Sequence, residues 1–271
     1  MGAFTPLRAQ EKRKFTVYGS IVYRDLSTSG SEDPYVTPEV AERYGIQPLS
    51  LVFEQRLLDV DKSHPHNSKV DVGKIDKVAM ETLTTPHKLV SLDMESWNRF
   101  DTVGTPGLYL QVIREFRKLN SKSKLGLYAV VPQVTYGWKD EVPAKYGPLN
   151  AAYKSVAAAV DYFSPSLYNW ERSMSDANWE RAAKYSIQAA HGYDASKPVF
   201  PYVTPEVTRQ GTTTFLTYGQ MLFRLQTLKQ LGADGCIIWT GTTQGRKAGG
   251  TFDPKNGWAK AVVDFQKHLI E

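Results

Sequence analysis

The sequence predicts an α/β protein built as a TIM-type (β/α) barrel, with about seven strand–helix units. Short runs rich in β-branched and aromatic residues alternate with segments whose apolar residues recur every three or four positions. This strict alternation is typical of a parallel sheet with helices outside it. Because no shift in composition divides the 271 residues, we expect an N-terminal lead over residues 1–14 and a single barrel domain over residues 15–271.

Residues typical of helix starts and helix ends mark the boundaries between the units. The first helix opens with Thr37-Pro38, since proline suits the first helical position, and it ends at Gly45, a typical C-terminal residue. A loop with serine and glycine is expected over residues 27–33. Strands are predicted at residues 15–23, 49–54, 89–93, 125–131, 162–168, 198–203 and 234–239. Helices are predicted at residues 37–45, 72–83, 106–119, 149–160, 178–190, 218–231 and 257–269.

Composition and charge narrow the class of partner. The net charge is +5, from 33 basic and 28 acidic residues, which is compatible with an acidic polymer such as a polysaccharide or a nucleic acid. The longest basic cluster, residues 11–14, is short and lies in the lead, which favours a solvated tail over a nucleic-acid arm. Neither a G-x-G-x-x-G motif after the first strand nor a G-x-x-x-x-G-K motif is present, so nucleotide-binding folds lose their usual support.

The chain shows no pattern that requires a cofactor or a membrane. Its single cysteine, Cys236, excludes an internal disulfide and sits in an apolar run. His64 and His66 flank Pro65 without further metal-ligand candidates nearby, so no metal or organic cofactor is expected. No apolar stretch approaches 18 residues, and the N-terminus lacks the apolar core of a signal peptide. Localisation therefore stays open, and a secreted or periplasmic protein is favoured if a signal peptide has been removed.

Two carboxylates end the third predicted strand. Asp93 and Glu95 are separated by one residue, so strand alternation would point both to the same side, with Cα atoms roughly 6.5–7 Å apart. Two acids crowded together disturb each other's pKa, so that one tends to hold a proton near neutral pH. Cleavage of a glycosidic bond needs one group that donates a proton and another that stabilises positive charge. The spacing alone is equally compatible with two solvated acids at a strand end.

Polar and aromatic residues recur at the ends of the other predicted strands. Barrel enzymes carry their chemistry at the C-terminal ends of the strands, and flat aromatic rings with polar edges are suited to sugar rings. Core filling would explain any one of these aromatics, but it explains their shared position less well. The candidate substrate-binding residues are Tyr168, Tyr202, Trp239, Gln133, Tyr136 and Trp97.

Four segments, in the same order, resemble those of hyaluronidases. Residues 92–97, LDMESW, are similar to the D-W-E-x-W segment of that family, and residues 164–168, SPSLY, are similar to its P-S-I-Y strand end. Residues 198–202, PVFPY, followed by FLT at 215–217, resemble its P-V-x-x-Y and F-L-S segments. Residues 231–239, LGADGCIIW, resemble its L-G-A-x-G-x-x-x-W segment. The resemblance spans about residues 89–241 and implies a distorted barrel of seven strands.

The resemblance also implies a retaining, substrate-assisted glycoside hydrolase that cuts internal bonds of a polysaccharide. Glu95 would protonate the leaving oxygen, and the acetamido oxygen of the substrate would act as nucleophile, oriented by Asp93. This mechanism is an exception to the two-carboxylate scheme. Tyr168 and Tyr202 would contact the acetamido group or the distorted sugar, and Trp239 would pack beneath it.

Several departures from the hyaluronidase pattern bear on the identity of the glycan. Met94 stands where the family has tryptophan, residues 131–136 lack its aromatic–cysteine pattern, and its disulfides are absent. A glycan without an acetamido group would require a second carboxylate, for which Glu54, Glu171 and Glu206 are the candidates. The other hypotheses are a glycan-binding barrel without catalysis and a metal-dependent phosphodiester hydrolase, which the missing ligand pattern disfavours.

Overall fold

The computed structural model of this chain describes residues 14–27, 35–170 and 175–269. The expected lead, apart from Lys14, lies outside these residues, as do most of the loop expected at 27–33 and the candidate Glu171. The strands are β1 Thr16–Ser20, β2 Arg24–Asp25, β3 Ile46–Gln47, β4 Ser50–Phe53, β5 Leu58–Asp59, β6 Lys69–Val70, β7 Leu89–Asp93, β8 Lys124–Leu127, β9 Tyr202–Val203, β10 Glu206–Arg209, β11 Thr212–Phe215, β12 Gly235–Trp239 and β13 Thr251–Phe252.

The α-helices of the described residues alternate with these strands. They are α1 Pro38–Arg43, α2 Val72–Thr84, α3 Thr105–Leu119, α4 Val142–Ala152, α5 Lys154–Ala159, α6 Asp176–Tyr193, α7 Tyr218–Gln230, α8 Thr243–Lys247 and α9 Gly257–Lys267, with 3₁₀ helices at Glu54–Arg56 and Pro65–Asn67. The N-terminus of α7 is fixed by a capping box between Thr217 and Gln220, an arrangement that satisfies two otherwise unpaired N–H groups.

Seven parallel strand segments form the barrel. β4 pairs with β7, β7 with β8, β9 with β12 and β12 with β1, all in parallel. The fifth segment, residues 162–166, joins β8 and β9 through the single bridges Tyr128–Ser164 and Ser166–Tyr202. The chain from β3 to β4 completes the circuit, because β3 pairs with β1 while the adjoining β4 pairs with β7. The predicted (β/α) barrel is therefore confirmed, with a seam between β1 and β4.

Two layers of apolar side chains hold the barrel together. The larger layer lies between the strands and the surrounding helices, and includes Val17, Val90 and Ile238. The smaller layer fills the interior of the barrel and is rich in tyrosine; its members are Leu89, Tyr128, Ala129, Val134, Tyr162, Phe200, Tyr202 and Ile237. Alternate residues of a strand face opposite sides, so each barrel strand contributes to both layers.

The interior tyrosines are tied to the strands by hydrogen bonds. The Tyr162 hydroxyl donates to the Val90 carbonyl oxygen at 2.8 Å, and its ring occupies the space left by Gly126, where a Cβ would lie 2.3 Å from a ring carbon. The Tyr202 hydroxyl donates to Ser91 Oγ at 2.7 Å. Because a buried hydroxyl without a partner is costly, these bonds fix the rings and, with them, the floor of the space above.

The structure differs from the predicted elements in several places. The pairs β5–β6 and β2–β13 and helix α8 were not predicted, and the strands predicted at 162–168 and 198–203 are reduced to isolated bridges and to the short β9. β8 ends at Leu127 rather than at residue 131, because Ala129 turns the chain with φ 56°. The helix predicted at residues 149–160 starts earlier and is divided at Tyr153 into α4 and α5. The antiparallel pair β10–β11 was not predicted; it is a local hairpin added after the sixth strand, outside the alternating pattern.

Candidate active site

A cavity of about 250 Å³ opens at the C-terminal ends of the barrel strands. This is the end at which (β/α) barrels place their active sites. Five of the eight residues named as candidates from the sequence line this cavity, and aromatic rings form most of its wall. The lining residues are Leu51, Asp93, Glu95, Tyr128, Tyr168, Trp170, Tyr202, Trp239 and Thr242.

Asp93 is the last residue of β7 and lies at the inner end of the cavity. Its Oδ1 atom is buried and accepts no hydrogen bond from any described residue. The pKa of Asp93 is raised to about 7, first by burial away from water and then by the negative charges of Glu95 and Glu54, against the opposing charge of Arg99. Asp93 therefore exchanges its proton near neutral pH, and it retains an unused oxygen for a bound molecule.

Glu95 lies beyond the end of β7, in the loop, and its side chain is 56% exposed at the mouth of the cavity. Strand alternation therefore does not set its direction. Instead Glu54 Oε2 accepts the backbone N–H groups of Glu95 and Ser96, both at 2.8 Å. The pKa of Glu95 is raised by partial loss of water, opposed by Arg99 and reinforced by Glu54. Glu54 therefore holds the backbone of the loop through these two hydrogen bonds, and its negative charge favours the protonated form of Glu95.

A buried arginine, Arg99, contacts both Glu95 and the chain after β8. Arg99 donates from Nη1 to the Ala129 carbonyl oxygen at 3.2 Å, and its Nη2 lies 3.7 Å from Glu95 Oε1. The Tyr153 hydroxyl in turn donates to the Arg99 carbonyl oxygen at 2.8 Å. The positive charge of Arg99 opposes the rise in the pKa of both Asp93 and Glu95.

Three tyrosines surround Asp93. Burial raises the pKa of Tyr128, Tyr168 and Tyr202 well above the usual range of a phenol, with a smaller contribution from the negative charge of Asp93. Their hydroxyls are therefore neutral near pH 7 and can donate hydrogen bonds. Tyr128 lies against Tyr202 with ring centroids 4.9 Å apart, at an interplanar angle of 81°. The three rings form a rigid aromatic wall beside the carboxylate.

The same aromatic wall continues from Tyr168 to Trp239. Tyr168 and Trp239 are nearly parallel, with centroids 5.6 Å apart and an interplanar angle of 20°. Trp239 ends β12, whereas Tyr168 follows the segment 162–166. Residues predicted at two different strand ends are thus in direct contact, because the segment 162–166 and β12 flank β9 on its two sides.

Two predicted site residues lie away from the cavity. Gln133 is fully buried, because β8 ends four residues earlier than predicted and the following chain folds inward. Trp97 is also buried; its indole N–H donates to the Ser68 carbonyl oxygen at 2.8 Å, and its ring packs edge-on against Tyr109. Trp97 fixes the loop after Glu95 rather than contacting the cavity. Tyr136 is exposed at the rim, where its ring meets Trp170.

Sequence reasoning missed several residues that the structure brings to the site. Tyr128 lines the cavity. The sequence could have indicated this position, because Tyr128 is two residues after Gly126 and so lies on the same, inward face of the fourth strand. Thr242 enters the cavity from the glycine-rich loop after β12. The contacts of Glu54 and Arg99 with the Glu95 loop depend on residues distant in sequence, which no local pattern reveals.

The proposed alternative acids are committed to other contacts. Glu206 is buried, and its carboxylate accepts the hydroxyls of Tyr23 and Thr242 together with the N–H groups of Gly241 and Thr242. Glu54 is engaged with the Glu95 loop as described. Glu171 lies outside the described residues. Within the described ranges, no group of three or more His, Cys, Asp or Glu residues is arranged to hold a metal ion.

A second, larger cavity of about 870 Å³ lies at the other end of the barrel, near the starts of β1, β7 and β8. Lys14, Lys88 and Lys124 are among its lining residues, whereas Asp93 and Glu95 are not. Across the part of the chain that the structure describes, no helix is long and apolar enough to cross a membrane.

The similarities of this chain to known proteins are in three-dimensional structure rather than in sequence. No protein-family model matches the sequence, and no curated protein is recognisably similar to it. Bee venom hyaluronidase, whose structure has also been determined with a hyaluronic acid tetramer, superposes with a TM-score of 0.57 at 16% identity, covering 94% of this chain and 97% of that chain. The chain shares the (β/α) barrel fold of that hyaluronidase.

Two further structures point to the same fold. A glucosidase from Croceicoccus marinus matches with a TM-score of 0.55 at 11% identity, covering 95% of this chain and 68% of that chain. A chitinase from Chromobacterium violaceum matches with a TM-score of 0.50 at 12% identity, covering 95% and 92%. At such low identity the similarity concerns the fold, and any activity has to be argued from the cavity itself.

Proposed function

We propose that this protein is a glycoside hydrolase that cuts internal bonds of a polysaccharide, with Glu95 as general acid/base and Asp93 as its partner. One observation carries the proposal: two carboxylates with raised pKa values share an aromatic-lined cavity at the C-terminal end of a barrel, and Asp93 has a buried oxygen with no hydrogen-bond partner among the described residues. Perturbed carboxylates in such a cleft are typical of catalytic groups.

The two carboxylates are suited to different roles. Glu95 lies at the mouth, where a glycosidic oxygen can reach it, and its raised pKa favours the protonated form that an acid catalyst requires. Proton transfer from Glu95 to that oxygen accompanies cleavage of the bond between oxygen and the anomeric carbon. Glu95 is then a carboxylate that can remove a proton from the incoming water, which restores the starting state.

Asp93 is suited to orient a substrate group rather than to attack the sugar. Its Oδ1 is buried and has no hydrogen-bond partner among the described residues, and Asp93 shares the cavity with Tyr128, Tyr168 and Tyr202. This setting fits a small polar substituent such as an acetamido group. The acetamido oxygen would then bond to the anomeric carbon as the leaving oxygen departs, with retention after water opens the intermediate. The contacts of Glu54 and Glu206 with backbone and hydroxyl donors support this scheme over one that uses a second carboxylate as nucleophile.

The proposal is tested by measuring reducing-end release from hyaluronan, glycol chitin and β-mannan, with Glu95→Gln beside the wild type. Hydrolysis of an acetamido polymer is expected, and Glu95→Gln should lower kcat by about 10³-fold because the amide keeps the shape but has no transferable proton. Glu115→Gln is a matched control, since its carboxylate pairs with Lys118 on the same helix, α3, and does not line the cavity. Turnover retained in Glu95→Gln would refute the assignment of the acid.

The remaining outcomes separate the alternatives. Hydrolysis of β-mannan alone would keep the hydrolase and remove the acetamido role of Asp93. Binding of a polymer without release of reducing ends from any of them would instead favour a barrel that binds glycans without catalysis.

A further inference from the structure

Two exposed aromatic residues stand at the rim of the cavity. Trp170 follows the barrel segment 162–166, Tyr136 lies in the loop after β8, and their rings meet with centroids 5.1 Å apart at an interplanar angle of 70°. Trp170 is 39% exposed, and the other five tryptophans, which also lie within the described residues, are less exposed; Tyr136 is 45% exposed. We call these two residues the rim pair.

The rim pair continues the aromatic wall of the cavity outward. Trp170 itself lines the cavity that contains Asp93 and Glu95. Its ring lies 5.5 Å from that of Tyr168, which in turn stacks on Trp239. Four rings therefore form an unbroken row from the wall of the cavity to the solvent-exposed rim, in the order Trp239, Tyr168, Trp170 and Tyr136.

The backbone at Tyr136 is held in an unfavourable conformation. Its φ of 55° lies in the left-handed region, which a residue with a Cβ rarely adopts, and the following Gly137 has φ 101°. Burial of the ring does not offset this cost, because Tyr136 is exposed while the preceding Val134 and Thr135 are buried. Unfavourable backbone conformations that persist on an exposed side chain are concentrated at functional sites.

From these observations we propose that the rim pair is a remote sugar-binding subsite, which holds the polysaccharide beyond the sugar whose bond is cut. The inference rests on the proposed function, because it assigns the direction in which the substrate chain leaves the cavity. An exposed indole face can pack against the apolar face of a pyranose ring, while the indole N–H and the phenol hydroxyl can bond to sugar hydroxyls. The row of rings supplies a continuous surface for successive sugars.

The test compares substrates of different length. For the polymer that the wild type cuts, kcat and KM are measured on purified oligosaccharides from the shortest cleaved member upward. Trp170→Ala is expected to raise KM for long oligosaccharides by about 10-fold more than KM for the shortest cleaved substrate. Tyr136→Ala should produce a smaller effect of the same kind, because Tyr136 lies farther from the cavity.

A matched control and a contrary result are both available. Tyr218→Ala removes an aromatic residue of similar exposure, 37%, that packs beside Lys260 and Asp264 in the outer helix layer; it should not alter the dependence on length. The subsite is refuted if Trp170→Ala affects all lengths equally or leaves the length dependence as in the wild type.

A binding measurement distinguishes failure of the subsite from failure of the proposed function. Affinity electrophoresis through gels containing hyaluronan, glycol chitin or β-mannan reports binding without turnover, and Glu95→Gln provides a background in which the polymer is preserved. Retardation that is lost on adding Trp170→Ala supports the subsite even if the wild type hydrolyses none of the polymers. Equal retardation with and without Trp170→Ala overturns it even if the wild type is an active hydrolase.

Discussion

Two carboxylates near the C-terminal end of the barrel, Asp93 and Glu206, are treated in opposite ways by the fold. Glu206 is 5% exposed and accepts four hydrogen bonds, from Tyr23, Gly241 and both donors of Thr242. Asp93 is also largely withdrawn from water, yet its Oδ1 accepts none from the described residues. An ionised carboxylate can only accept hydrogen bonds. Both oxygens of Glu206 accept hydrogen bonds from the protein, whereas Oδ1 of Asp93 accepts none from the described residues.

The difference indicates a structural role for Glu206 and a role in binding or proton exchange for Asp93. Glu206 starts β10 and binds the loop after β12, so that its hydrogen bonds join two strand ends and hold Thr242 at the cavity. The backbone of Gly245, in α8, lies against the Glu206 carboxylate. A Cβ atom added at Gly245 would be 2.3 Å from Glu206 Oε1. Asp93 has a pKa raised to about 7 by burial and by two neighbouring acids. Withholding hydrogen bonds from a buried acid is unfavourable for stability and useful for proton exchange and binding.

The largest expected effect comes from Asp93→Asn. If the unsatisfied carboxylate orients a substrate group, kcat should fall by about 10²–10³-fold, because the amide cannot carry the charge or exchange the proton. The fold should not be weakened, which circular dichroism and thermal unfolding would verify. Near-normal activity in Asp93→Asn would mean that the contrast with Glu206 has no catalytic meaning.

Next in size is Glu206→Ala. Removing this buried acceptor leaves the Tyr23 hydroxyl and the loop N–H groups without partners, and the free energy of unfolding should fall by about 3 kcal/mol. Urea denaturation measures the change. Glu206→Gln, which keeps one acceptor oxygen, should lose less. A loss of activity without any loss of stability in either variant would contradict a structural role and return Glu206 to the list of catalytic candidates.

The stability of the wild type should depend on pH through Asp93. Its pKa rises from 3.8 in the unfolded chain to about 7 in the folded one, so between these values the native state binds more protons. The contribution of Asp93 is therefore most favourable below about pH 4 and is lost as the pH rises through 7. Because each pKa unit corresponds to about 1.4 kcal/mol, the stability of Asp93→Asn relative to the wild type should be roughly 4 kcal/mol higher at pH 8 than at pH 4. Parallel pH–stability curves of the two proteins would contradict this.

The smallest expected effect is that of Glu54→Gln. Its negative charge raises the pKa values of Asp93 and Glu95, whereas its hydrogen bonds to the Glu95 loop need only an oxygen acceptor. The amide should therefore keep the loop but shift the pH profile of kcat/KM to lower pH, by up to about one unit. An unchanged profile would show that Glu54 acts through geometry alone.

The sequence by itself determined the alternation of elements and the location of the key acids. The apolar periodicity predicted the helices α2, α3, α7 and α9 nearly to their ends, since each buries one face against the barrel. The strand ending at Asp93, with Glu95 two residues later, required only a local reading. The predicted Tyr168, Tyr202 and Trp239 also line the cavity, because parallel strands bring their C-terminal ends to the same side.

Only the tertiary structure decided which of these groups interact. Trp97 and Gln133 are near strand ends in sequence, but the turns that follow β7 and β8 carry them into the core. Glu54 and Glu206 were indistinguishable as alternative catalysts until their donors, 35 to 183 residues away along the chain, were known. A local pattern records propensity and spacing, whereas pKa values and hydrogen-bond saturation depend on burial and on neighbours that the closed barrel brings together.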